Sequence, residues 1–372
     1  MIIQKARIQK VRLIIKESNA EYFFITNPYH IFYLTGFRGL SPEEREATLL
    51  ISDTTVSLFV PRMYAEQAQL LDTVKQKIVT CVVDHERDGL MTKWLKSVGK
   101  GIKVLIEEGD LTIEEYTYLT KLLQGRFQSS NRRIEGMRVR KDTEELAKMV
   151  SVVSKTDIVF NNLVKMLKQS DYTHFTELDI ADTLRVLGRS EGLLEFSFDP
   201  IVASGAGGSE PHFRTSNKKL HKGDVLLMDF GFTLDGYHSD VTRTIVLGNA
   251  SDRVKNMYDL VLACNEYSLK QTKPGVNAGD LHTMAVDFFA KQNLQENFIH
   301  GLGHGIGLEV HEEPFFRLER KTILEPGMAV TIEPGLYFPN EFGIRIEDYV
   351  VITDTGHKVL SKNSPKQLIE VS

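Results

Sequence analysis

Cysteine and excess positive charge are both scarce in this sequence. Of the 372 residues, two are cysteines, Cys81 and Cys264, which excludes a disulfide framework and a zinc site built from cysteines. Lysine and arginine total 45 against 50 aspartates and glutamates, so the net charge is −5. Without a basic excess, neither nucleic acid nor an anionic membrane is expected as the main partner.

Long apolar runs are missing as well. The longest uninterrupted run, Leu260–Cys264, is far shorter than the roughly 20 residues that a membrane-spanning helix needs. Charged residues are scattered through residues 1–18, whereas a signal peptide contains a continuous apolar segment. These absences predict a protein that does not enter membranes and that resides in the cytoplasm.

The composition is that of a globular protein, with 42% hydrophobic and 26% charged residues. In the first third, strand-like runs alternate with helical spacing, which is typical of an α/β layer domain. The strand-like runs lie near residues 22–26, 47–52, 56–60, 77–83 and 103–107, and the helical segments near 62–71, 86–97 and 111–123. A polar stretch, residues 125–136, interrupts this pattern. We therefore expect two domains, residues 1–130 and 131–372.

The second half mixes helices with hairpins, which predicts an α+β domain. Its first helix should begin at Asp142, with Glu145 completing a capping box. Further helices are expected over residues 177–189 and on either side of Pro274, with strands near residues 329–333 and 344–352.

The segment Val225–Leu247 contains the strongest hairpin signal. Asp235-Gly236 separates two apolar runs, and a two-residue loop there would pair Leu234 with Tyr237 and Asp229 with Thr242. Asp229 and Asp240 would then project from one face. Close carboxylates repel unless a proton or cation lies between them, which favours a metal site. The alternative is that one aspartate caps a turn and the other pairs with Arg243 at the surface.

Three histidines, His300, His304 and His311, lie in a glycine-rich segment, residues 300–312. So many glycines disfavour a helix and allow the backbone to approach a ligand closely. The spacing fits neither a dinucleotide-binding fingerprint nor a phosphate loop, and no cysteine pair precedes the histidines as in a zinc finger. The cluster indicates a site, although a single such histidine would more often be an ordinary loop residue.

Two glutamates follow, Glu333 in TIEPG and Glu347 in GIRIED. In isolation each would be a solvated or salt-bridged residue, with Arg345 as the natural partner of Glu347. Taken with the preceding residues, they give four carboxylates and one imidazole: Asp229, Asp240, His304, Glu333 and Glu347. Such a set suits two divalent ions bridged by shared oxygens. Oxygen-rich ligation favours Mn²⁺, with Co²⁺, Fe²⁺ or Zn²⁺ as alternatives.

The ordered motifs MDFG, SDVTRT, GHGIGLEVHE, TIEPG and GIRIED resemble those of the pita-bread metallopeptidases, which include methionine aminopeptidase, aminopeptidase P and prolidase. The resemblance covers residues 134–372. The first half, with NPYHIFYLTGF at Asn27–Phe37, resembles the N-terminal domain of the aminopeptidase P and prolidase branch. It implies an α/β N-terminal domain with creatinase- or ribonuclease-H-like layers and an α+β pita-bread catalytic domain.

The same resemblance implies residue roles. Asp229, Asp240, His304, Glu333 and Glu347 would hold the two metal ions, with Asp240 and Glu347 bridging them. Glu333 would also carry a proton. His212 and His311 would contact the substrate or the developing oxyanion, and His300 would line the pocket for the residue after the scissile bond. Arg345 and Tyr337 match residues that support catalysis in aminopeptidase P.

One departure bears on the substrate. Microbial prolidases carry an arginine, thought to bind the dipeptide carboxylate, where this chain has Phe315; Arg317 lies two residues later. This difference favours an Xaa-Pro aminopeptidase acting on peptides with proline in second position. An Xaa-Pro dipeptidase is the alternative, with Arg317 or an N-terminal residue supplying the cation. A non-catalytic binding protein and a creatinase-like hydrolase are less favoured, and a homodimer is expected because relatives are often dimers.

Overall fold

The structure, a computed structural model, describes residues 3–39, 41, 44–84, 101–123, 125–318 and 320–372. Its internal contacts divide the chain into two units, Met1–Met137 and Arg138–Ser372. The division lies a few residues after the boundary expected from the sequence.

The first unit contains a six-stranded sheet in the order β4-β3-β2-β1-β5-β6. The pairs β1/β5, β5/β6 and β3/β4 are parallel, and β1/β2 and β2/β3 are antiparallel. The strands are β1 Tyr22–Ile25, β2 Thr48–Ser52, β3 Val56–Pro61, β4 Thr80–Asp84, β5 Lys103–Ile106 and β6 Arg126–Ser129. The five predicted strands are therefore confirmed.

Strand β6 lies inside the polar stretch that was expected to interrupt the pattern, and that expectation is wrong. The strand occupies the edge of the sheet, where only part of its surface has to be apolar. Phe127 packs against the core beneath it, while the backbone is satisfied by pairing with β5.

Six helices of the first unit are described: α1 Ile3–Glu17, α2 Pro28–Thr35, α3 Ala65–Leu70, α4 Asp72–Lys75, α5 Ile113–Leu123 and α6 Arg133–Val139, which crosses into the second unit. Helix α1 was not predicted, although Ile8, Val11 and Ile15 recur at helical spacing and are buried. The helical segment expected near residues 86–97 lies outside the described residues. The motif at Asn27–Phe37 is explained by α2, because Asn27 caps its first turn and Gly36 ends it with φ of 83°.

Helices of the second unit are α7 Thr143–Gln169, α8 Glu177–Ser190, α9 Asp252–Gln271 and α10 Ala278–Ala290. The predicted capping box of Asp142 and Glu145 is present at the start of α7. Apolar faces of α9 and α10, including Val261 and Leu281, pack into one core with the sheet residues Val330 and Ile344. Among the described helices, none is long and apolar enough to span a membrane.

Two larger sheets of the second unit have the strand orders β20-β12-β9-β8 and β14-β13-β15-β18-β19, and smaller sheets are β11-β10-β7 and β16-β17. The strands are β7 Glu195–Phe196, β8 Ile201–Ser204, β9 Val225–Phe230, β10 Phe232–Leu234, β11 Tyr237–His238, β12 Val241–Leu247, β13 Gly303–Gly305, β14 Glu312–Phe316, β15 Ala329–Ile332, β16 Gly335–Phe338, β17 Phe342–Arg345, β18 Asp348–Ile352, β19 His357–Val359 and β20 Glu370–Val371.

The predicted hairpin is confirmed in its register. Leu234 pairs with Tyr237 and Asp229 pairs with Thr242. Asp235 and Gly236 have φ values of 52° and 83°, as a type I′ turn requires at both central positions. The hairpin therefore places Asp229 and Asp240 on one face.

Gly231 is the position at which this hairpin has least room. A Cβ atom there would lie 1.8 Å from the carbonyl oxygen of Ser239, so the two strands would have to separate. We expect Gly231→Ala to lower the free energy of unfolding by about 1–3 kcal/mol, as for other overpacked positions, measured by denaturant titration. Gly356→Ala is the control, because a Cβ at Gly356 meets nothing within 4 Å. Equal stability of the two variants would contradict this account.

Candidate metal centre

The five side chains expected to bind metal all line one cavity of about 680 Å³. Asp229 lies in β9 and Asp240 immediately before β12, so both come from the first of the larger sheets. His304 lies in β13, Glu333 directly after β15 and Glu347 between β17 and β18. Strands and strand ends that are far apart in sequence thus place four carboxylates and one imidazole in the same cavity.

Backbone and side-chain hydrogen bonds join the two larger sheets at this cavity. The amide of Glu347 donates to the carbonyl of Thr242 at 3.1 Å, and Thr242 Oγ1 donates to Glu347 Oε2 at 2.8 Å. Thr242 was not among the predicted site residues. The sequence did contain a signal for it: the predicted hairpin pairs Thr242 with Asp229, and paired residues share a sheet face.

Several of the potential ligand atoms lie close together. One potential ligand atom each from Asp240, His304 and Glu347 lies within 4.8 Å of the others. His304 Nε2 is 3.6 Å from Asp240 Oδ2 and 3.5 Å from Glu333 Oε1. Asp229 Oδ1 and Asp240 Oδ1 are buried, and no group in the described part of the chain donates a hydrogen bond to them.

The protonation of His304 can be inferred from its hydrogen bond. Its Nδ1 lies 3.0 Å from the carbonyl oxygen of Gly305, which can only accept, so Nδ1 carries the proton and Nε2 presents a lone pair. Burial, together with the nearby His311, lowers the pKa of His304 to about 3. A neutral imidazole with Nε2 facing carboxylates is the arrangement of a metal-binding histidine.

The carboxylates are costly to ionise together. Burial, opposed by Arg345 and aided by Asp229, raises the pKa of Glu333 to about 7. Burial and the charges of neighbouring carboxylates also raise the pKa values of Asp240 and Glu347 well above the ordinary range. A divalent cation would remove this repulsion and satisfy the orphaned oxygens, so the residues present fit a metal site.

The surface ion pair between an aspartate and Arg243, considered above as an alternative, is wrong. Arg243 is fully buried and pairs with Asp348 at 3.0 Å. Its guanidinium also donates to the backbone carbonyl of Glu347. Asp229 pairs instead with Arg345. Arg243 therefore supports the segment between β17 and β18 that carries Glu347.

A hydrogen-bonded chain leads from Asp229 to His300. Arg345 Nη2 donates to Asp229 and Arg345 Nη1 donates to Tyr337 Oη at 2.7 Å. Tyr337 Oη lies 2.9 Å from His300 Nε2, and His300 Nδ1 lies 2.8 Å from the carbonyl of Gly301. Burial, with help from Arg345, lowers the pKa of His300 to about 3, so His300 accepts from Tyr337. The chain fixes Arg345, Tyr337 and His300 as one unit.

His212 and His311 also line the cavity. The His311 ring centroid is 4.4 Å from that of His304, and burial lowers the pKa of His311. A neutral imidazole at this position retains one N–H that can donate to a substrate oxygen. The structure thus brings together every residue that was predicted for the site.

The outer wall of the cavity combines aromatic and cationic groups, among them Phe198, Phe213, Phe315, Arg214 and Arg317. The guanidinium carbon of Arg317 lies 5.2 Å from the Phe315 ring centroid. Phe198, Phe213 and Arg214 were not predicted, since isolated aromatic and basic residues carry no positional signal in one sequence.

Comparison with known proteins gives matches over both halves of the chain. Residues 147–354 match metallopeptidase family M24, and residues 7–140 match the creatinase/prolidase N-terminal domain. The Xaa-Pro dipeptidase of Pyrococcus furiosus is 29% identical over 367 residues, which cover 98% of this chain and 100% of that protein.

Solved structures agree with the sequence matches. The Xaa-Pro dipeptidase from Bacillus anthracis superposes with a TM-score of 0.89 at 30% identity, covering 99% of each chain. The X-Pro aminopeptidase from Thermotoga maritima MSB8 gives a TM-score of 0.85 at 30% identity, covering 98% of this chain and 100% of that one. Similarity extends over nearly the whole length in each case.

Metal binding should weaken as the pH falls. Below about pH 7 the metal-free protein holds a proton on Glu333, and a bound cation must displace it. The apparent affinity for Mn²⁺ should therefore fall about tenfold for each pH unit below that pKa. Isothermal titration calorimetry in two buffers of different ionisation enthalpy would measure both affinity and proton release.

Glu333→Gln is the matched variant for this experiment, because it removes one titrating group and should make the dependence shallower. An affinity that stays constant between about pH 6 and pH 8, without proton release, would contradict the assigned protonation state.

Proposed function

The chain belongs to metallopeptidase family M24, and from this premise we propose that it hydrolyses Xaa-Pro bonds as an Xaa-Pro dipeptidase. The proposal is supported by the names of the Pyrococcus furiosus relative and the Bacillus anthracis structure. These favour the alternative stated above over the aminopeptidase expected from Phe315.

One observation carries the proposal for this chain. Arg317 lines the same cavity as the acidic cluster and lies on the Phe315 ring. A dipeptide presents a free carboxylate one residue beyond the scissile bond, and burying it requires a cation. Arg317 supplies a cation although the usual arginine position is occupied by phenylalanine.

Xaa-Pro aminopeptidase remains the second candidate. The Thermotoga maritima structure bears that name, and Phe315 removes a cation from the position where a prolidase has one. An aminopeptidase must let a longer chain continue out of the cavity, which an aromatic wall allows more readily than a carboxylate-binding arginine.

Two divalent ions fit the proposed centre, because four carboxylates and one imidazole exceed the needs of one ion. The oxygen-rich donor set of Asp229, Asp240, His304, Glu333 and Glu347 favours Mn²⁺. When bound, the ions supply Lewis acidity and lower the pKa of the attacking water toward neutrality.

The remaining steps fall to side chains of the cavity. Glu333 takes a proton from the nucleophile and returns it to the proline nitrogen, acting as base and then acid. His311, with His212, donates a hydrogen bond to the oxyanion that develops on the scissile carbonyl, a contact worth roughly 3–4 kcal/mol when such donors are removed in other hydrolases. His300, which Tyr337 holds by a hydrogen bond, lines the pocket for proline, whose nitrogen has no N–H to be satisfied.

We also keep three proposals from the sequence. Residues 1–130 and 131–372 act as separate domains, the protein forms a homodimer, and it works in the cytoplasm. Peptide substrates with proline in second position are its proposed partners.

Chain length of the substrate distinguishes the two candidate activities. A dipeptidase should hydrolyse an Xaa-Pro dipeptide about 10- to 100-fold faster than the corresponding Xaa-Pro-Ala tripeptide, because the tripeptide has no carboxylate next to proline. Ninhydrin or mass-spectrometric assay of both peptides with defined metals measures this. A faster reaction with the tripeptide would favour the aminopeptidase, and an Xaa-Ala dipeptide controls for the proline requirement.

Arg317→Gln tests the carboxylate contact directly. Loss of one charge-assisted hydrogen bond, worth roughly 1.5–3 kcal/mol, should lower kcat/KM for the dipeptide by about tenfold or more. Turnover of the tripeptide should change little. Arg320→Gln is the matched control, because Arg320 lies near the same Phe315 ring but pairs with Glu313 at 3.4 Å. Similar losses in both variants would show that Arg317 does not bind the carboxylate.

A further inference from the structure

A buried ion-pair cluster, the Glu312 anchor, lies behind the loop that carries His311. Glu312 Oε1 accepts from Lys141 Nζ at 2.7 Å, and Glu312 Oε2 accepts from Arg138 Nη2 at 2.5 Å. Arg138 Nη2 also lies 2.7 Å from Glu309 Oε2. The cations come from the start of the second unit and the acids from the loop, so the anchor joins two distant parts of the chain.

The anchor places three charges almost completely out of water. The side chains of Arg138, Lys141 and Glu312 are 3%, 1% and 8% exposed. Although burial raises it, Lys141 and Arg138 lower the pKa of Glu312 to about 2, so the carboxylate stays ionised. Buried ion pairs often contribute little net stability compared with apolar residues. The presence of this one therefore points to a role in fixing geometry.

The His311 ring is not fixed by hydrogen bonds of its own. None of the described residues donates to the ring or accepts from it, and the neighbouring ladder is irregular. His304 pairs with Phe315, but Gly305 pairs with Glu312, so residues 313–314 bulge between them. Apart from its contact with the His304 ring, the ring position is therefore set by the backbone next to it, at Glu312.

The loop fits tightly against the anchor. A Cβ atom at Gly307 would lie 2.7 Å from Glu312 Oε1 and 3.1 Å from Lys141 Cε. On the other side, His238 Nε2 lies 3.0 Å from the carbonyl of Leu308. The backbone leading to His311 is thus held between His238 and the anchor.

We propose that Arg138 and Lys141 are positioning residues, which act through Glu312 to hold the backbone at His311 so that its ring faces the reacting carbonyl. Neither residue lines the cavity that contains the metal ligands. The catalytic consequence rests on the proposed function, whereas the effect on the His311 ring does not.

The test uses the full-length protein with Arg138→Met, Lys141→Met and Glu312→Gln, the last of which preserves the shape of the side chain. Arg140→Met is the matched control, because Arg140 lies between the two cations but is 61% exposed and pairs with Glu325. Arg138→Lys keeps a cation beside Glu312 and should restore part of any loss.

For an Xaa-Pro peptide that the wild type cleaves, the anchor variants should lower kcat about 10- to 100-fold with KM changed less than about threefold, as expected for a contact used mainly in the transition state. Metal content should be unchanged. In a His311→Gln background the same substitutions should have little further effect, because they act through His311. Additive losses in that background would overturn the proposal.

Histidine-ring NMR of metal-free protein gives a readout that does not require activity. The His311 signal, assigned by its loss in His311→Gln, should shift or broaden in all three anchor variants. Signals of His174 and His221, 81% and 67% exposed, should not move. An unchanged His311 signal in Glu312→Gln would overturn the proposal even if no peptide were cleaved. If Arg138→Met or Lys141→Met does not fold, the His311 signals of Glu312→Gln and Arg138→Lys provide the test.

Discussion

Repulsion among buried carboxylates is the constraint on which the second unit depends. Asp229, Asp240, Glu333 and Glu347 are gathered where water is largely excluded, and the raised pKa values of Asp240, Glu333 and Glu347 show how costly their ionisation is. Arg345 offsets part of the charge through Asp229. Divalent cations would balance the remaining negative charge. The unprotonated Nε2 of His304 faces the same carboxylates.

Polar and charged groups outside the cavity hold the backbone segments that carry the site residues. Thr242 links the two larger sheets beside Glu347, and the buried Arg243 holds the backbone on the other side of that ligand. The Glu312 anchor has the same character next to His311, which lines the cavity. In each case a charged or polar group outside the cavity fixes a backbone segment, and that segment carries the group that meets metal or substrate.

Local sequence signals were sufficient to predict those parts of the fold that neighbouring residues determine, such as turns and hairpin register. Asp235-Gly236 favours a type I′ turn. That turn fixes the register of the hairpin, so the shared face of Asp229 and Asp240 could be derived from the sequence. Convergence of Glu333 and Glu347 on that face could not be derived, because contacts between sheets leave no periodic signature. The two glutamates were grouped with the aspartates for their chemistry, and the family resemblance supported that grouping. The proposed role of Arg317 could be stated from the sequence only as an alternative, since whether its side chain lines the cavity depends on how strand β14 and its bulge are placed.

The ligands span the sequence from Asp229 to Glu347 and come from two sheets. A cation that binds these ligands only when they are brought together in the folded protein would stabilise that state by mass action, and removing the cation would withdraw this stabilisation. Metal-depleted protein would then unfold and be degraded more readily. Metal supply in the cell would thereby govern how much of the protein persists, as well as how fast each molecule works.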